Sequence, residues 1–186
     1  MKALAKIISR VIVVEAENVD TDQIIPARFL KTTSKDSLGK YLFYNWKNKD
    51  TGIVQNKGAA ILLARNNFGC GSSREHAVWA LMDYGFRVII SSGFGDIFYN
   101  NCLKNGLLCI KLKESEIKEL FGIIKKNPNT FIKINLESQT VAIVDNKKIF
   151  HFEIDPFRKS YLIMGVDELG YILAHEDKIT AYEKNI

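Results

Sequence analysis

The middle of the chain, residues 58–112, alternates between strand-like and helix-like segments, and this alternation constrains the fold more than any other feature. Ala59–Ala64 is a continuous apolar run of the kind that a parallel strand buried on both faces requires. The glycine-bearing turn Phe68–Gly71 follows it, and a helix with apolar residues every three or four positions comes next. Phe86–Ile90 and Leu107–Ile110 predict two further strands. Two successive right-handed crossovers are typical of a parallel sheet covered by helices, so this stretch predicts an α/β fold.

The flanking segments add a second kind of sheet. Val11–Val14 predicts a strand, which the polar loop Glu17–Asp22 and a short helix around Ala27–Leu30 follow. After an amphipathic helix, apolar residues recur at every second position over residues 132–154, which predicts three short antiparallel strands with one exposed face each. Pro156 and the residues after it return to helix-forming sequence. The expected architecture has three layers, with a small antiparallel sheet beside a mostly parallel core sheet.

Length and composition favour one soluble domain. At roughly 150 residues per domain, 186 residues indicate a single domain spanning residues 1–186. Lys and Arg number 26 against 21 Asp and Glu, but the resulting charge of +5 is spread along the chain, which disfavours a nucleic-acid patch. No apolar run approaches the roughly 18 to 20 residues that span a bilayer. Because Lys6 and Arg10 interrupt the apolar part that a signal peptide would need, we expect a cytoplasmic protein that binds neither membrane nor nucleic acid.

The cysteines and histidines do not form a recognisable ligand set. Cys70, Cys102 and Cys109 include no Cys-x-x-Cys pair, and the three histidines are equally dispersed. Neither a disulfide framework nor a complete zinc or iron–sulfur site can be assigned to this chain. We therefore expect that the chain binds no cofactor and that any metal used by the protein comes from a partner.

Residues 31–57 predict a long loop with one aromatic group. Most of the segment is polar, and Tyr41, Phe43 and Trp46 interrupt it. Loops of this length are usually functional or mobile. The aromatic residues either anchor an interface or form the loop's own core, and the second interpretation is slightly favoured.

The segment Asn66–His76 carries most of the predicted chemistry. Ser72 and Glu75 have the spacing of a capping box, so the segment is either a well-capped helix start or a ligand site. A strand end, a glycine turn, a helix amino terminus and Arg74 converge here, and together they predict an anion site. His76 is interpreted as a packing residue and not as a catalyst.

The type of anion follows from motifs that are missing. The turn lacks the spacing of a P-loop, and Gly93-Phe94-Gly95 lacks the third glycine of a dinucleotide fingerprint. The serines do not occupy the middle of a G-x-S-x-G elbow, which disfavours a hydrolase. The planar guanidinium of Arg74 suits a carboxylate, and a serine beside it could act as a base or a nucleophile.

Three motifs make the resemblance to a known family specific. FGCGSSREHA, with NVDTDQIIPARFL before it and GFRVIISSGFGDIFYNNCLKNGLL after it, resembles the small subunits of 3-isopropylmalate dehydratases, which belong to the aconitase superfamily. The resemblance extends over essentially the whole chain, including FRKSYLIMGVDELG. It implies a three-layer β/β/α swivelling domain, which closes over a large subunit that carries a [4Fe-4S] cluster.

The resemblance also implies roles for single residues. Ser72 matches the general base, which removes a proton from the carbon next to a substrate carboxylate. Arg74 matches the arginine that binds a substrate carboxylate, and Ser73 matches the second active-site serine. Asp22, in the Thr21-Asp22 pair, matches an aspartate near the substrate that orients groups of the partner subunit, and both residues of the pair are expected to contact the substrate. Without the resemblance, Asp22 could equally be the N-cap of the next short helix.

The implied activity is the interconversion of 2-isopropylmalate and 3-isopropylmalate by dehydration and rehydration through 2-isopropylmaleate, in leucine biosynthesis. The active site would form at the interface with the large subunit, so this chain alone would be inactive. A second arginine that binds citrate in aconitase has no clear equivalent, because Arg28 lies too close to the Thr21-Asp22 pair and Lys31–Lys35 contains no arginine. Two alternatives remain: a related dehydratase subunit for a shorter substrate such as 2-methylmalate, and a non-catalytic anion-binding or RNA-binding module.

Overall fold

A computed structural model describes residues 1–30, 37–46 and 58–184. The strands are β1 Lys6–Val14, β2 Ile61–Ala64, β3 Val88–Ser91, β4 Leu108–Lys111, β5 Phe131–Asn135, β6 Thr140–Ile143 and β7 Ile149–His151. The α-helices are α1 Thr21–Ile24, α2 Glu75–Tyr84, α3 Asp96–Asn105, α4 Glu114–Lys126, α5 Pro156–Met164, α6 Glu168–Leu173 and α7 Glu176–Glu183. Short 3₁₀ helices occupy Ala27–Phe29, Gly39–Tyr41 and Tyr44–Trp46. Within these described ranges, no helix combines the length and the apolar character that a bilayer span needs.

Strand β1 joins the parallel and antiparallel parts of one mixed sheet. The strand order is β4-β3-β2-β1-β5-β6-β7. Val11–Val14 pairs in parallel with β2, while Lys6–Arg10 pairs antiparallel with β5. The predicted strand, Val11–Val14, is therefore only the second half of β1. The antiparallel strands are present as predicted, but they continue the parallel sheet instead of forming a separate one.

Two hydrophobic cores lie on opposite faces of the parallel strands. Because successive residues of a strand point to opposite sides, Leu62 packs in the core beneath α2 and α3, while Leu63 packs in the other core. This second core also contains buried side chains of α4 and of all three antiparallel strands. The sheet therefore curls at β1, so that β5–β7 cover one face of the parallel strands. The result is the predicted three-layer arrangement of helices, parallel strands and antiparallel strands.

The described part of the 31–57 loop packs into the core beneath α2. Phe43 is buried and stacks on Trp46 with ring centroids 5.0 Å apart, and Tyr41 stacks on Phe29 at 4.1 Å. The favoured interpretation, that these aromatic residues form the loop's own core, is wrong for residues 37–46, because their side chains pack into the core that β2 and α2 share. Residues 31–36 and 47–57, which include the rest of the predicted loop, lie outside the described residues.

The turn after β2 and the turn after β3 are held together by their backbones. Phe68 donates its N–H to Gly93 O at 3.0 Å, and Gly95 donates to Phe68 O at 3.0 Å. A Cβ atom on Gly95 would lie only 2.6 Å from Gly69 O. The glycines of Gly93-Phe94-Gly95 therefore serve close packing between two turns, which places the turn after β2 against the start of α3.

Replacing Gly95 with Ala should destabilise the protein, because the added methyl group overlaps a backbone oxygen that cannot move without shifting the turn. We expect the free energy of unfolding to fall by about 1–3 kcal/mol in urea titrations. The matched control is Gly122→Ala in α4, where a new Cβ meets nothing within 4 Å. That substitution should increase the free energy of unfolding by about 0.4–1 kcal/mol. Equal effects of the two variants would show that the two turns are not in close contact.

Candidate functional site

The Thr21-Asp22 pair and the segment Gly71–Arg74, called the serine turn below, meet at the carboxyl end of the parallel strands. Thr21 N–H donates to Cys70 O at 3.0 Å, and Gly69 N–H donates to Val19 O at 2.7 Å. These two motifs lie about fifty residues apart in sequence, and each follows a neighbouring parallel strand, β1 or β2. Carboxyl ends of adjacent parallel strands are where open α/β sheets place their ligand sites.

Both serines of the turn face solvent. Ser72 and Ser73 are exposed, and their hydroxyl groups have no hydrogen-bond partner among residues 1–30, 37–46 and 58–184. The backbone of Ser72 is well held, because its carbonyl accepts Arg74 N–H at 2.8 Å and the Thr21 hydroxyl at 3.0 Å. A fixed backbone with an unengaged hydroxyl is a suitable arrangement for a side chain that reacts with a ligand.

Asp22 and Arg74 form an ion pair across the two motifs. Arg74 Nη1 donates to Asp22 Oδ1 at 2.6 Å, and the same oxygen accepts the N–H of Ala27 at 2.9 Å. About half of the Asp22 side chain and a quarter of the Arg74 side chain are exposed, so water reaches the pair. Arg74 was predicted to bind a substrate carboxylate and Asp22 to lie near the substrate, and in the structure the two side chains are in direct contact.

The pairing changes the acidity of Asp22. The hydrogen bond from Arg74 lowers the pKa of the Asp22 carboxyl below its ordinary value, and the Ala27 N–H and the charge of Arg28 act in the same direction. Asp22 is therefore a carboxylate at neutral pH and not a proton donor. Arg28 itself donates to Asn45 Oδ1 at 2.7 Å and lies against the Phe29 ring.

The helix caps differ from those that the sequence predicts. Helix α2 begins with Arg74 as its N-cap and with no side-chain cap, so the predicted capping box of Ser72 and Glu75 is wrong. The Glu75 carboxylate accepts instead from Asn105 Nδ2 at 2.7 Å.

Asp20, and not Asp22, is the N-cap of α1. Its carboxylate accepts Gln23 N–H at 2.7 Å, while the Gln23 side chain accepts Asp20 N–H at 2.9 Å. The D-x-x-Q spacing was a readable signal for this cap, since an acidic residue followed by Gln three positions later marks a helix start.

Cys70 lies beside this cap at the edge of the serine turn. Burial raises the pKa of its thiol, and the nearby Asp20 carboxylate adds to the effect. Cys70 is therefore a neutral thiol at physiological pH. Cys102 and Cys109 lie far inside the protein, and the described ranges contain no group of three or more His, Cys, Asp or Glu that could hold a metal ion.

The site is an open surface. Cavities of about 260 and 410 Å³ lie near Met1 and Lys104, and neither is lined by a residue of the serine turn or by Thr21 and Asp22. The residues that the structure describes would cover a ligand on the serine turn on one side only. Chemistry that requires exclusion of water would need a second surface over this one.

Replacing Arg74 with Gln should raise the pKa of Asp22 toward its ordinary value of about 3.9, because the main cause of the lowering is removed. In the wild type, the pair stabilises the folded state above about pH 4, and this contribution is lost as the pH falls through the lowered pKa. Carboxyl-detected NMR titration measures the change. Arg158→Gln is the control, since Arg158 binds Asn100 elsewhere. An Asp22 pKa that is the same in wild type and Arg74→Gln would contradict the pairing.

Comparisons with known proteins cover nearly the whole chain. The family model of the aconitase C-terminal domain matches residues 1–115, and the model described as LeuD_N matches residues 118–156. The 3-isopropylmalate dehydratase small subunit of Brevibacillus brevis is 49% identical, and the match covers 89% of this chain and 90% of that relative.

A solved structure agrees with this assignment. The crystal structure of 3-isopropylmalate dehydratase (leuD) from Methanocaldococcus jannaschii superposes with a TM-score of 0.73 at 27% identity, over 96% of this chain and 99% of that chain. The resemblance that the three motifs predict is confirmed. The chain belongs to the aconitase C-terminal domain family, within the group of 3-isopropylmalate dehydratase small subunits.

Proposed function

We propose that this chain is the small subunit of a heteromeric hydro-lyase that interconverts 2-isopropylmalate and 3-isopropylmalate through 2-isopropylmaleate, in leucine biosynthesis. Family membership supports the activity, and the observation that carries the site is the direct contact between the Thr21-Asp22 pair and the serine turn. The predicted cytoplasmic location is part of the proposal.

Ser72 is the proposed base. Its hydroxyl is exposed and unengaged within the described structure, it lies just before the amino terminus of α2, and Arg74 is two residues away. An unassisted hydroxyl holds its proton far too tightly at neutral pH. The positive end of the helix dipole, the guanidinium and exclusion of water are the available sources of help. Ser72 would remove the proton from the carbon next to a substrate carboxylate and return it in the reverse step.

Arg74 is the proposed binding residue for a substrate carboxylate, because its bond to Asp22 leaves one edge of the guanidinium available. Among the described residues, the guanidinium is hydrogen-bonded only through Nη1, to Asp22. The edge formed by Nη2 and Nε remains for a two-point contact with a carboxylate. Ser73 is exposed, precedes Arg74 directly in the chain, and would contribute its hydroxyl to the same anion.

The described residues do not fit an iron–sulfur cluster, because two of the three cysteines are buried in the core and none forms part of a ligand group. The proposal therefore assigns the [4Fe-4S] cluster, which supplies Lewis-acid chemistry, to a large subunit. That subunit would also provide the second surface that the open site needs. The small-subunit designation of the relative implies such a partner.

The test is hydration of 2-isopropylmaleate, followed anaerobically, by this chain mixed with its cluster-loaded large subunit. We expect activity only when both chains are present. Ser72→Ala should lower kcat about 10²- to 10⁴-fold, because a general base is lost, with KM close to that of wild type. Ser115→Ala is the matched control: Ser115 is equally exposed, in the first turn of α4, and its loss should not change activity.

Each contrary outcome has its own meaning. Equal activity of Ser72→Ala and Ser115→Ala would place the base elsewhere. Faster turnover of 2-methylmalate than of 2-isopropylmalate would identify a dehydratase for a shorter substrate. Absence of turnover together with salt-sensitive RNA binding would replace the enzyme proposal by a binding module.

Replacing Arg74 with Lys should mainly raise KM. A lysine keeps the positive charge but loses the planar fork that contacts a carboxylate at two points. We expect KM to rise about tenfold or more, which corresponds to the loss of one charge-assisted hydrogen bond of about 1.5–3 kcal/mol. The same exchange at Arg158, on α5, should leave kcat and KM unchanged. A KM for Arg74→Lys equal to that of wild type would argue against contact with the substrate.

A further inference from the structure

Thr21 was predicted to contact the substrate, but its side chain is turned into the protein. The residue is 2% exposed, and its hydroxyl donates to the carbonyl of Ser72, fifty-one residues further along the chain. Because Thr21 is buried, little water can reach its hydroxyl to compete for this hydrogen bond. Its influence on a ligand must therefore pass through the serine turn.

The hydrogen bond from Thr21 completes the coordination of one carbonyl group. Ser72 O accepts the N–H of Arg74 at 2.8 Å from within the turn and the hydroxyl of Thr21 at 3.0 Å from across the site. A carbonyl oxygen has two lone pairs, so both acceptor sites of Ser72 O are used. One of the two bonds is local and moves with the turn, whereas the other ties the turn to α1.

The local structure leaves the Thr21 hydroxyl available for this bond. Helix α1 is already capped by Asp20, and the Thr21 N–H is bound to Cys70 O. The turn also approaches α1 closely, since Gly71 has a left-handed φ of +88° and a Cβ on it would lie 4.0 Å from Thr21 Oγ1.

We propose that Thr21 is a positioning residue for Ser72: its buried hydroxyl fixes the Ser72 backbone, and thereby the place from which the Ser72 hydroxyl acts. The inference rests on the proposed function, and it assigns to Thr21 a role different from substrate contact. Asp22, the next residue, holds Arg74 in the same way through its side chain. Two consecutive residues of α1 thus hold the proton-transferring and the carboxylate-binding parts of the turn separately.

Because Thr21 holds Ser72 and Asp22 holds Arg74, loss of the Thr21 hydroxyl should change kcat and not KM. Thr21→Val keeps the branched shape and removes only the hydroxyl, while Thr21→Ser keeps the hydroxyl and removes the methyl group. With the cluster-loaded large subunit, we expect Thr21→Val to lower kcat about tenfold, a change equivalent to ~1.4 kcal/mol. KM should stay within about twofold, because Arg74 and its bond to Asp22 are untouched. Thr21→Ser should keep at least about half of the wild-type kcat, since the hydrogen bond is retained.

Three outcomes of this assay would overturn the proposal. The first is wild-type kcat in Thr21→Val, which would show that the bond does not matter for the reaction. The second is an equal loss in Thr21→Ser, which would assign the effect to packing of the methyl group. The third is a rise in KM without a change in kcat, which would indicate that Thr21 contributes to substrate binding.

A second readout does not depend on activity. Cys70 lies next to Gly71, at the edge of the serine turn, and its rate of alkylation by iodoacetamide can be followed by peptide mass spectrometry. A loosened turn exposes this thiol, so Thr21→Val should react about threefold faster or more and Thr21→Ser about as slowly as wild type. The buried Cys102 serves as an internal reference. Unchanged alkylation in Thr21→Val would refute the positioning role. If wild type has no turnover but the alkylation rates differ as expected, the proposed function fails while the role of Thr21 in holding the turn stands.

Discussion

The structure depends on one strand that forms hydrogen bonds with two kinds of neighbour. The first half of β1 pairs antiparallel with β5, and its second half pairs in parallel with β2. This division lets the sheet curl, so that the antiparallel strands and α4 close one core, while α2 and α3 close the other. It also places the Thr21-Asp22 pair, which follows β1, beside the turn that follows β2.

Much of the fold could be predicted because burial on both faces leaves a clear trace in sequence. Residues 61–64 are all buried, and so is the apolar side of α2, at Ala77, Val78, Ala80 and Leu81. The first half of β1 could not be predicted in the same way. Lys6 and Arg10 make it resemble a polar terminus, and its place in the sheet follows from pairing with β5, which lies more than 120 residues away in sequence.

The sequence identified the residues proposed for the site, but not the hydrogen bonds that connect them. The motifs identify Ser72, Arg74 and Asp22, and the structure brings all three together. Ser72 and Glu75 have the spacing of a capping box, and so do Asp20 and Gln23. Only Asp20 and Gln23 form a capping box in the structure. Local spacing cannot decide between them, because Glu75 is bound to Asn105 of α3, a tertiary contact. The bond from Thr21 to Ser72 O is undetectable in sequence for the same reason.

The ion pair of Asp22 and Arg74 has a consequence for how an anionic substrate arrives. Because a positive and a negative side chain are in contact, their fields largely cancel a few ångströms away, and screening at physiological ionic strength acts over about 8 Å. The pair therefore provides little long-range attraction for a dicarboxylate. If Arg74 binds the substrate as proposed, recognition by this residue would begin only at contact distance, where the planar geometry of the guanidinium, and not its net charge, would distinguish one anion from another.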